Sequence, residues 1–368
     1  MNIVLLTSSR ADYGIYRPLI RKMQADNFFN LSLIVFGTHV SSFHGHTIDQ
    51  IHEDKVRIIY QVENLILGDS PEAIATAMGT TTLKFSGIWQ TIHQDVDLMI
   101  CLGDRYEMLA AVIASAPFNI PIAHFHGGET TLGAIDNKFR HSLTAMSDYH
   151  FTSTQKHQER VSQIVGNQKH IYNVGALSLD NLQDLTLLSL TSFKAKYGID
   201  LANPSILITF HPETVSYEKN ITYIETLISS LRVLSADYQL IITMPNADTL
   251  GNMVRKKLAN FALNNPQVFT IESFGVLGYF SCMQHCSFLL GNTSSGIIEA
   301  ASFKKYVINV GDRQKGRDAG ENVLQVPIKQ DDILAAVKKI ATLPPFDGHN
   351  IYGEGNTSSK IIDILKNE

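Results

Sequence analysis

The sequence predicts an α/β protein built from two doubly wound parallel sheets. Three observations support this fold class: short apolar runs alternate with longer amphipathic segments, the alternation restarts halfway along the chain, and 368 residues suffice for two domains. Strands and helices in this rhythm form parallel sheets covered by helices on both faces. Hydrophobic residues make up 44% of the chain and charged residues 18%, which indicates a sizeable core and not a disordered chain.

The first half of the chain contains five short apolar runs that we interpret as strands. They lie at residues 3–6, 31–36, 98–102, 122–125 and 150–152. The amphipathic segments between them predict helices at residues 15–25, 71–93 and 105–116.

The second half repeats the pattern. We predict strands at residues 205–210, 239–244, 268–271, 288–290 and 306–310, and helices at 221–236, 253–264 and 278–286. The restart places a domain boundary around residues 175–185. A turn and helix cap at 353–358 precedes a last predicted helix at 359–365.

Composition and charge argue against several classes of protein. The formal net charge is −5, which argues against nucleic-acid and membrane-surface partners, since both favour a basic face. No apolar run reaches the ~18 residues that span a bilayer. The first residues lack a basic segment and a cleavage site, so they indicate a strand and not a signal peptide. The sparse cysteines predict a reducing, cytoplasmic location without a disulfide framework.

Polar side chains follow the predicted strands at the points where the strands end. Ligands of doubly wound sheets bind outside the carboxyl ends of the strands. Each group taken alone is a turn or a cap, but the coincidence of all of them favours a shared cleft between the domains. The polar groups begin at Ser9, Gly103, His126, His211, Pro245, Gly291 and Gly311.

A turn rich in glycine and hydroxyl side chains, residues 291–296, follows one of these strands and precedes apolar-periodic residues. Strand, turn and helix in this order direct backbone N–H groups at an anion, and the helix dipole adds about half a positive charge. Thr293, Ser294 and Ser295 are therefore candidates for phosphate binding, and Glu299 is a candidate for binding sugar hydroxyls. The alternative is an ordinary helix capped by Ser or Thr.

Two arginines, Arg10 and Arg313, would add positive charge for a diphosphate, because guanidinium groups bind phosphates in a bidentate manner. Each could instead form a surface ion pair. No G-x-G-x-x-G follows the first strand and no G-x-x-x-x-G-K-[ST] occurs, which disfavours a nicotinamide dehydrogenase and a P-loop nucleotidase.

Carboxylates and imidazoles in a cleft are the usual groups for acid/base chemistry. For any single residue a structural role is the alternative, such as Asp104 capping the following helix. The candidates are Asp104, Glu129, Asp136, His126, His141 and His211.

The pairs His124/His126, His44/His46 and Cys282/Cys286 are conceivable metal ligands. Alternation within a strand would put His124 and His126 on one face. We predict no metal and no cofactor, because no carboxylate or cysteine spacing completes a site.

These segments together resemble the hydrolysing UDP-N-acetylglucosamine 2-epimerases of sialic acid biosynthesis, essentially from end to end. The resemblance is carried by SRADYG at 9–14, GDR at 103–105, GGE at 127–129, GAID at 133–136, RH at 140–141, FHP at 210–212, PN at 245–246, the turn and following residues at 291–300, GDRQ at 311–314 and YGEGN at 352–356.

The family implies a GT-B fold, in which two Rossmann-like domains border a cleft that closes on ligand. The N-terminal domain, 1–178, would hold the sugar and the catalytic carboxylates, and the domain 179–350 would bind the nucleotide. A C-terminal helix within 351–368 would cross back to the first domain. A homodimer or homotetramer is the family expectation.

Carried over residue by residue, the resemblance implies two groups of site residues. The nucleotide- and substrate-binding candidates are Arg10, Arg105, His141, Asn246, His285, Thr293, Ser294, Ser295, Glu299 and Arg313. The catalytic candidates are Asp104, Glu129, Asp136, His211, His126 and Arg140. Asp104 and Glu129 would be the leading acid/base pair, assisted by His211 and His126, and Asp136 would orient the sugar.

The implied reaction converts UDP-N-acetylglucosamine to UDP and N-acetylmannosamine through a 2-acetamidoglucal, with no nucleic-acid or membrane partner. Many family members have Glu-Gly-Gly-Glu where this chain has His126-Gly127-Gly128-Glu129. This departure resembles the branch that acts on 2,4-diacetamido-2,4,6-trideoxy sugars for legionaminic acid. The alternative substrates are therefore UDP- or GDP-linked 2,4-diacetamido-2,4,6-trideoxyglucose and GDP-N-acetylglucosamine. The sequence does not decide whether the nucleobase is uracil or guanine, or which substituents the sugar carries at C4 and C6. It also leaves open which residue is the catalytic acid and which is the catalytic base.

Three other functions share parts of this pattern. A GT-B glycosyltransferase would share the nucleotide-binding turn and Glu299, but it has no need for so many ionisable groups near C2. A non-hydrolysing epimerase would return a nucleotide-linked sugar, whereas the segments 133–136 and 353–356 resemble the hydrolysing branch. A nucleotide-sugar-sensing module would show no turnover.

Overall fold

The structure is a computed structural model that describes residues 1–42, 46–66, 68, 70–132, 135–183, 185–213, 217–245 and 251–368, with the backbone alone for 251 and 252. Asn246, His44 and the Gly133-Ala134 pair of the sequence motif lie outside the described residues. The chain divides into two compact units. Unit 1 comprises Met1–Glu129, Asp136–Asp184 and Tyr352–Glu368, and unit 2 comprises Thr130–Ile135 and Leu185–Ile351.

Unit 1 contains a seven-stranded parallel sheet with the strand order β3-β2-β1-β4-β5-β6-β7. Its elements up to residue 183 are β1 (Asn2–Thr7), α1 (Arg10–Gln24), β2 (Asn30–Phe36), α2 (Ile48–Glu53), β3 (Ile58–Val62), α3 (Pro71–Ile92), β4 (Leu98–Leu102), α4 (Tyr106–Ile113), β5 (Ile122–Phe125), α5 (Asp136–Met146), β6 (Tyr149–Thr152), α6 (Gln155–Val165), β7 (Ile171–Asn173) and α7 (Asp180–Gln183).

Unit 2 contains a six-stranded parallel sheet with the order β10-β9-β8-β11-β12-β13. Its elements are α8 (Leu190–Tyr197), β8 (Ser205–Thr209), α9 (Asn220–Leu234), β9 (Gln239–Thr243), α10 (Gly251–Leu263), β10 (Val268–Ile271), α11 (Gly275–His285), β11 (Phe288–Gly291), α12 (Ser294–Ile298), β12 (Val307–Val310), β13 (Val323–Val326) and α13 (Gln330–Ile340). The last helix of the chain, α14 (Thr357–Asn367), belongs to unit 1.

Both faces of the unit 1 sheet are buried, because successive side chains of a strand point to opposite faces. Leu5 packs in a core cluster with residues of α1 and α14, whereas its neighbour Val4 packs in a second cluster with Trp89 and Met108. The C-terminal helix thus completes the core of unit 1, where its Ile361 is fully buried.

The first helix begins earlier than the predicted residue 15. Ser9 and Asp12 form a reciprocal capping box, so α1 begins at Arg10, directly after the first strand. Burial opposes ionisation of Asp12, but hydrogen bonds from His39, Thr7 and the Ser8 backbone hold the pKa of its carboxyl below the usual value. The short turn after β1 is therefore fixed by buried polar groups.

Within the described ranges, no helix is both long enough and apolar enough to cross a membrane. The cysteines Cys101, Cys282 and Cys286 are buried free thiols. Burial raises the pKa of Cys101 to about 12.

Candidate active site

Arg140 on α5 connects the ends of β4 and β5. Its Nη2 donates to the Oδ2 of Asp104, its Nη1 donates to the backbone oxygen of His126 at 2.8 Å, and Nη1 lies 3.7 Å from the Oε2 of Glu129. The Arg140 side chain is only 3% exposed, so these groups replace water around a buried charge. Asp104 therefore pairs with Arg140 and does not cap α4, which begins after Arg105.

His126 and Glu129 form a second contact within this cluster. The Nδ1 of His126 lies 2.7 Å from the Oε1 of Glu129, and the hydroxyl of Ser153 lies 3.1 Å from both atoms. The side chains of His126 and Glu129 are 8% and 2% exposed. Gly128 between them has φ 77°, and a Cβ there would lie 2.3 Å from the backbone oxygen of His157. The turn that brings Glu129 back to His126 therefore requires glycine.

His126 has a backbone conformation that is rare for a side-chain-bearing residue, with φ 62°. Strand β5 ends at Phe125, so the strand alternation that we expected to pair His124 with His126 does not extend to His126. The ring of His124 instead donates from Nε2 to the backbone oxygen of Gly103 at 2.9 Å. Burial lowers the pKa of His124 to about 3, although the hydrogen bond to Gly103 opposes this shift.

The other candidates of unit 1 are Arg105, Asp136, His141 and Arg10. Arg105 donates from Nε to the buried carboxylate of Glu107. Asp136 is the first residue of α5, and His141 is half-buried on the same helix. Burial, with the adjacent charge of Arg140, lowers the pKa of His141. Arg10 is exposed at the start of α1.

In unit 2, Asn292 organises the residues that follow β8, β11 and β12. Its Oδ1 accepts from the backbone N–H of His211 at 2.7 Å, and its Nδ2 donates to the backbone oxygen of His211 at 2.8 Å. The backbone oxygen of Asn292 accepts from Nη1 of Arg313 at 3.3 Å and from Nε2 of Gln314 at 3.0 Å. Because β8 and β11 are adjacent at the point where the strand order reverses, this cluster lies where doubly wound sheets bind ligands.

The phosphate-binding candidates Thr293, Ser294 and Ser295 follow directly. Thr293 precedes α12 without a side-chain cap bond, so the alternative interpretation of a Thr-capped helix does not hold. The helix is short: α12 ends at Ile298, and a 3-10 turn, Ala300–Phe303, continues the chain. Glu299 between the two is 6% exposed.

Gly291 permits this turn. Its φ is 145°, and a Cβ there would lie 1.9 Å from the backbone oxygen of Thr209. Only glycine fits, because at this backbone conformation a Cβ would point into the backbone of the neighbouring strand β8.

The structure does not bring every candidate together. His285 ends α11 ahead of β11, at the opposite edge of the sheet from Asn292, and its Nε2 lies 3.1 Å from the backbone oxygen of Leu188. Asn292, Ser153 and Gln314 were missed as candidates. Asn292 lies within the turn that the sequence singled out, but its side chain was not assigned a role.

Among the residues that the structure describes, no group of three or more His, Cys, Asp or Glu side chains is arranged to hold a metal ion. The histidine nearest to the carboxylates, His126, is bonded through Nδ1 to Glu129.

Two parallel doubly wound sheets, each with polar clusters after its strands, are the architecture of a GT-B-like protein. The chain belongs to the UDP-N-acetylglucosamine 2-epimerase family, whose profile matches residues 21–366. This confirms the predicted family and the predicted fold class.

Individual relatives match over nearly the whole chain. The chain is 32% identical to the UDP-N,N'-diacetylbacillosamine 2-epimerase (hydrolyzing) of Legionella pneumophila over 99% of this chain and 95% of the relative. It is 34% identical to the polysialic acid biosynthesis protein P7 of Escherichia coli over 91% of this chain and 85% of the relative. The crystal structure of UDP-GlcNAc 2-epimerase from Neisseria meningitidis bound to UDP-GlcNAc superimposes with a TM-score of 0.85, at 18% identity over 100% of both chains, which shows a shared fold.

Proposed function

We propose that the protein is a hydrolysing 2-epimerase of a nucleotide-linked 2-acetamido sugar. One observation carries this proposal: Arg140 holds Asp104, Glu129 and the backbone of His126 in one buried cluster after β4 and β5. Two carboxylates that form ion pairs with one guanidinium, and an imidazole 2.7 Å from one of these carboxylates, are suited to moving protons at a single carbon.

The reaction explains why such a cluster is needed. The hydrogen on C2 of the sugar is not acidic, because no carbonyl carbon adjoins C2. As the bond from C1 to the diphosphate oxygen lengthens, oxocarbenium character at C1 acidifies that hydrogen. A base then removes H2 as a proton, the C2–H electron pair forms the C1=C2 double bond, and the nucleoside diphosphate leaves with the C1–O electron pair.

Hydration completes the turnover. The oxygen of water bonds to C1, C2 receives a proton on the opposite face, and the water loses one proton. The net reaction consumes one water and releases a nucleoside diphosphate and a free sugar with inverted C2. Asp104 and Glu129 are the leading pair for these proton transfers. The groups proposed to assist the pair or orient the sugar are Arg140, His126, His211 and Asp136.

Nucleotide binding is assigned to residues of unit 2, together with Arg10 of unit 1. The N–H groups of the Thr293–Ser295 turn and the guanidiniums of Arg10 and Arg313 would stabilise the leaving diphosphate, and Glu299 would accept from ribose hydroxyls. The pairing of Arg313 with the backbone oxygen of Asn292 supports this assignment, because it fixes the arginine next to the turn. The remaining binding candidates are Arg105, His141 and Asn246; His285 is not among them, because it lies ahead of β11.

Two substrates have support. The Legionella relative is named for UDP-N,N'-diacetylbacillosamine, the 2,4-diacetamido-2,4,6-trideoxy sugar that the His126-Gly127-Gly128-Glu129 segment favours. The relative named for polysialic acid biosynthesis favours UDP-N-acetylglucosamine, with N-acetylmannosamine as product. We also propose a cytoplasmic homodimer or homotetramer.

Proton NMR in deuterium oxide tests the function with each substrate separately. Free manno-configured sugar and UDP, with deuterium at C2, are the expected products. A nucleotide-linked manno sugar would instead identify a non-hydrolysing epimerase. A protein that binds the nucleotide sugar, but transforms it only when an acceptor is added, would be a glycosyltransferase.

A further inference from the structure

We propose that Nε2 of His126 is the base that removes the C2 proton, and that Glu129 acts through His126 as a positioning residue. This inference rests on the proposed function and changes one role within it, because Glu129 no longer contacts the sugar. Three features of the cluster carry it: the carboxylate of Glu129 already has partners, Nε2 of His126 has none among the described residues, and the backbone of His126 is fixed.

The oxygens of Glu129 already have partners. Oε1 lies 2.7 Å from Nδ1 of His126 and accepts from the hydroxyl of Ser153 at 3.1 Å, while Oε2 lies 3.7 Å from Nη1 of Arg140. Glu129 would have to break these contacts to reach a sugar carbon. A carboxylate held on one ring nitrogen of a histidine instead selects the tautomer and fixes the ring.

The other ring nitrogen, Nε2, is available to accept a proton. When Nδ1–H donates to Glu129, the lone pair of neutral His126 lies on Nε2. This nitrogen is buried and has no hydrogen-bond partner in the part of the chain that the structure describes. An unsatisfied buried polar atom destabilises a fold, and such atoms persist where a ligand supplies the partner.

The backbone holds the ring in place at a conformational cost. His126 has φ 62°, and both of its backbone polar groups are bonded: its N–H donates to the oxygen of Phe151 at 3.0 Å, and its oxygen accepts from Arg140 at 2.8 Å. Strained residues that the surroundings hold this firmly cluster at functional sites. Arg140 thus fixes His126 through its backbone while Glu129 fixes it through its ring.

In the proposed step the Nε2 lone pair takes H2 as a proton, the C2–H electron pair becomes the C1=C2 bond, and the C1–O bond to the diphosphate breaks. The imidazolium that forms keeps its Nδ1–H directed at Glu129. It then releases the proton on Nε2 to water. The proton that C2 receives on its opposite face comes from a second group, for which Asp104, 25% exposed, is available.

The test compares kcat and KM of the wild type with those of His126→Asn and His126→Gly, on UDP-N-acetylglucosamine and on UDP-N,N'-diacetylbacillosamine. Asn and Gly both tolerate positive φ, so both variants keep the turn. We expect kcat to fall at least about 100-fold, with KM within about threefold. Added imidazole should restore turnover to His126→Gly and not to His126→Asn, because only the glycine variant leaves space for it.

His52→Gln is the matched control, because it removes an exposed histidine from α2. It should retain the wild-type kcat. If His126→Asn retains kcat within about threefold of the wild type, proton transfer by His126 is overturned.

A double-mutant cycle tests the role of Glu129. Glu129→Gln alone should lower kcat, because an amide N–H facing Nδ1 selects the opposite tautomer. If Glu129 acts only through His126, the double variant His126→Gly/Glu129→Gln is no slower than His126→Gly. If the double variant is slower than His126→Gly by the same factor by which Glu129→Gln slows the wild type, Glu129 itself reacts with the sugar.

Wild-type turnover separates the two proposals. If the wild type releases no free sugar and exchanges no C2 hydrogen with either substrate, the proposed function fails and this inference fails with it. If the wild type is active and the His126 variants match it, only this inference fails.

Discussion

Asp180 caps the C-terminal helix through Ser358. Its Oδ2 accepts the backbone N–H of Ser358 at 2.6 Å and also the Ser358 hydroxyl, while its Oδ1 accepts the backbone N–H of Thr357 at 2.8 Å. One buried carboxylate thus satisfies the first N–H groups of α14, whose side chains complete the core of unit 1.

Replacing this carboxylate should loosen the C-terminal helix. We expect Asp180→Ala to lower the free energy of unfolding by about 1–3 kcal/mol, because two buried N–H groups lose their acceptor. Hydrogen exchange of the α14 amides, followed by mass spectrometry, measures the local effect. Asp363→Ala, on the exposed face of α14, is the control, and equal exchange in both variants would contradict the capping role.

Asp104→Asn should separate chemistry from nucleotide binding. The amide keeps the size of the side chain but loses the charge that Arg140 neutralises, so we expect turnover to be abolished. Binding of UDP, measured by calorimetry, should stay within about tenfold of the wild type. Loss of UDP binding as well would assign Asp104 a structural role.

Gly291→Ala should disrupt the turn that we propose binds the nucleotide. The added Cβ would lie 1.9 Å from the Thr209 backbone oxygen, so β8 and β11 would have to separate. We expect UDP binding to be lost and the thermal midpoint of unfolding to fall. Gly79→Ala is the matched control, because nothing lies within 4 Å of its added Cβ and alanine favours helix α3. Similar behaviour of the two variants would contradict this account.

Acidification should destabilise the fold through buried His124. Its pKa falls from the ordinary 6.5 to about 3 because burial disfavours the charged ring, and the pKa of His150 falls to about 4 for the same reason. Between the pKa of a histidine in the unfolded chain, 6.5, and its lower pKa in the folded protein, the unfolded chain binds more protons. Stability therefore decreases as the pH falls below about 6.5. For His124 alone we expect a loss of about 2 kcal/mol at pH 5 relative to the fully neutral state.

Urea unfolding between pH 7 and pH 4.5 measures this dependence. His124→Gln should flatten the pH dependence, because an amide does not take up a proton in this range. An unchanged slope would show that other groups cause the acid sensitivity.

Central strands could be predicted from the sequence with the correct first and last residues, as for Leu98–Leu102 and Ile122–Phe125. Their apolar runs are continuous because both faces of a parallel sheet are covered. Three of the four edge strands were not among the predicted ones: β3, β7 and β13 are partly exposed, and polar residues interrupt or end their apolar runs. The fourth edge strand, β10, was predicted at 268–271 with both end residues. The early start of α1 was missed because its signal is a capping box and not an apolar repeat.

The sequence alone also placed the candidate residues after the strands, because connectivity puts each of them at the carboxyl edge of a parallel sheet. The division into domains at 178 and 350 stays a prediction, as do the individual roles of the site residues. Only the tertiary structure decided which candidates are partners. The pairing Arg140–Asp104 depends on how α5 packs against α4 and β5, and the pairing His126–Glu129 depends on the positive φ of His126. Hydrogen bonds require atoms to meet within a few tenths of an ångström, and residue order does not fix positions to that precision.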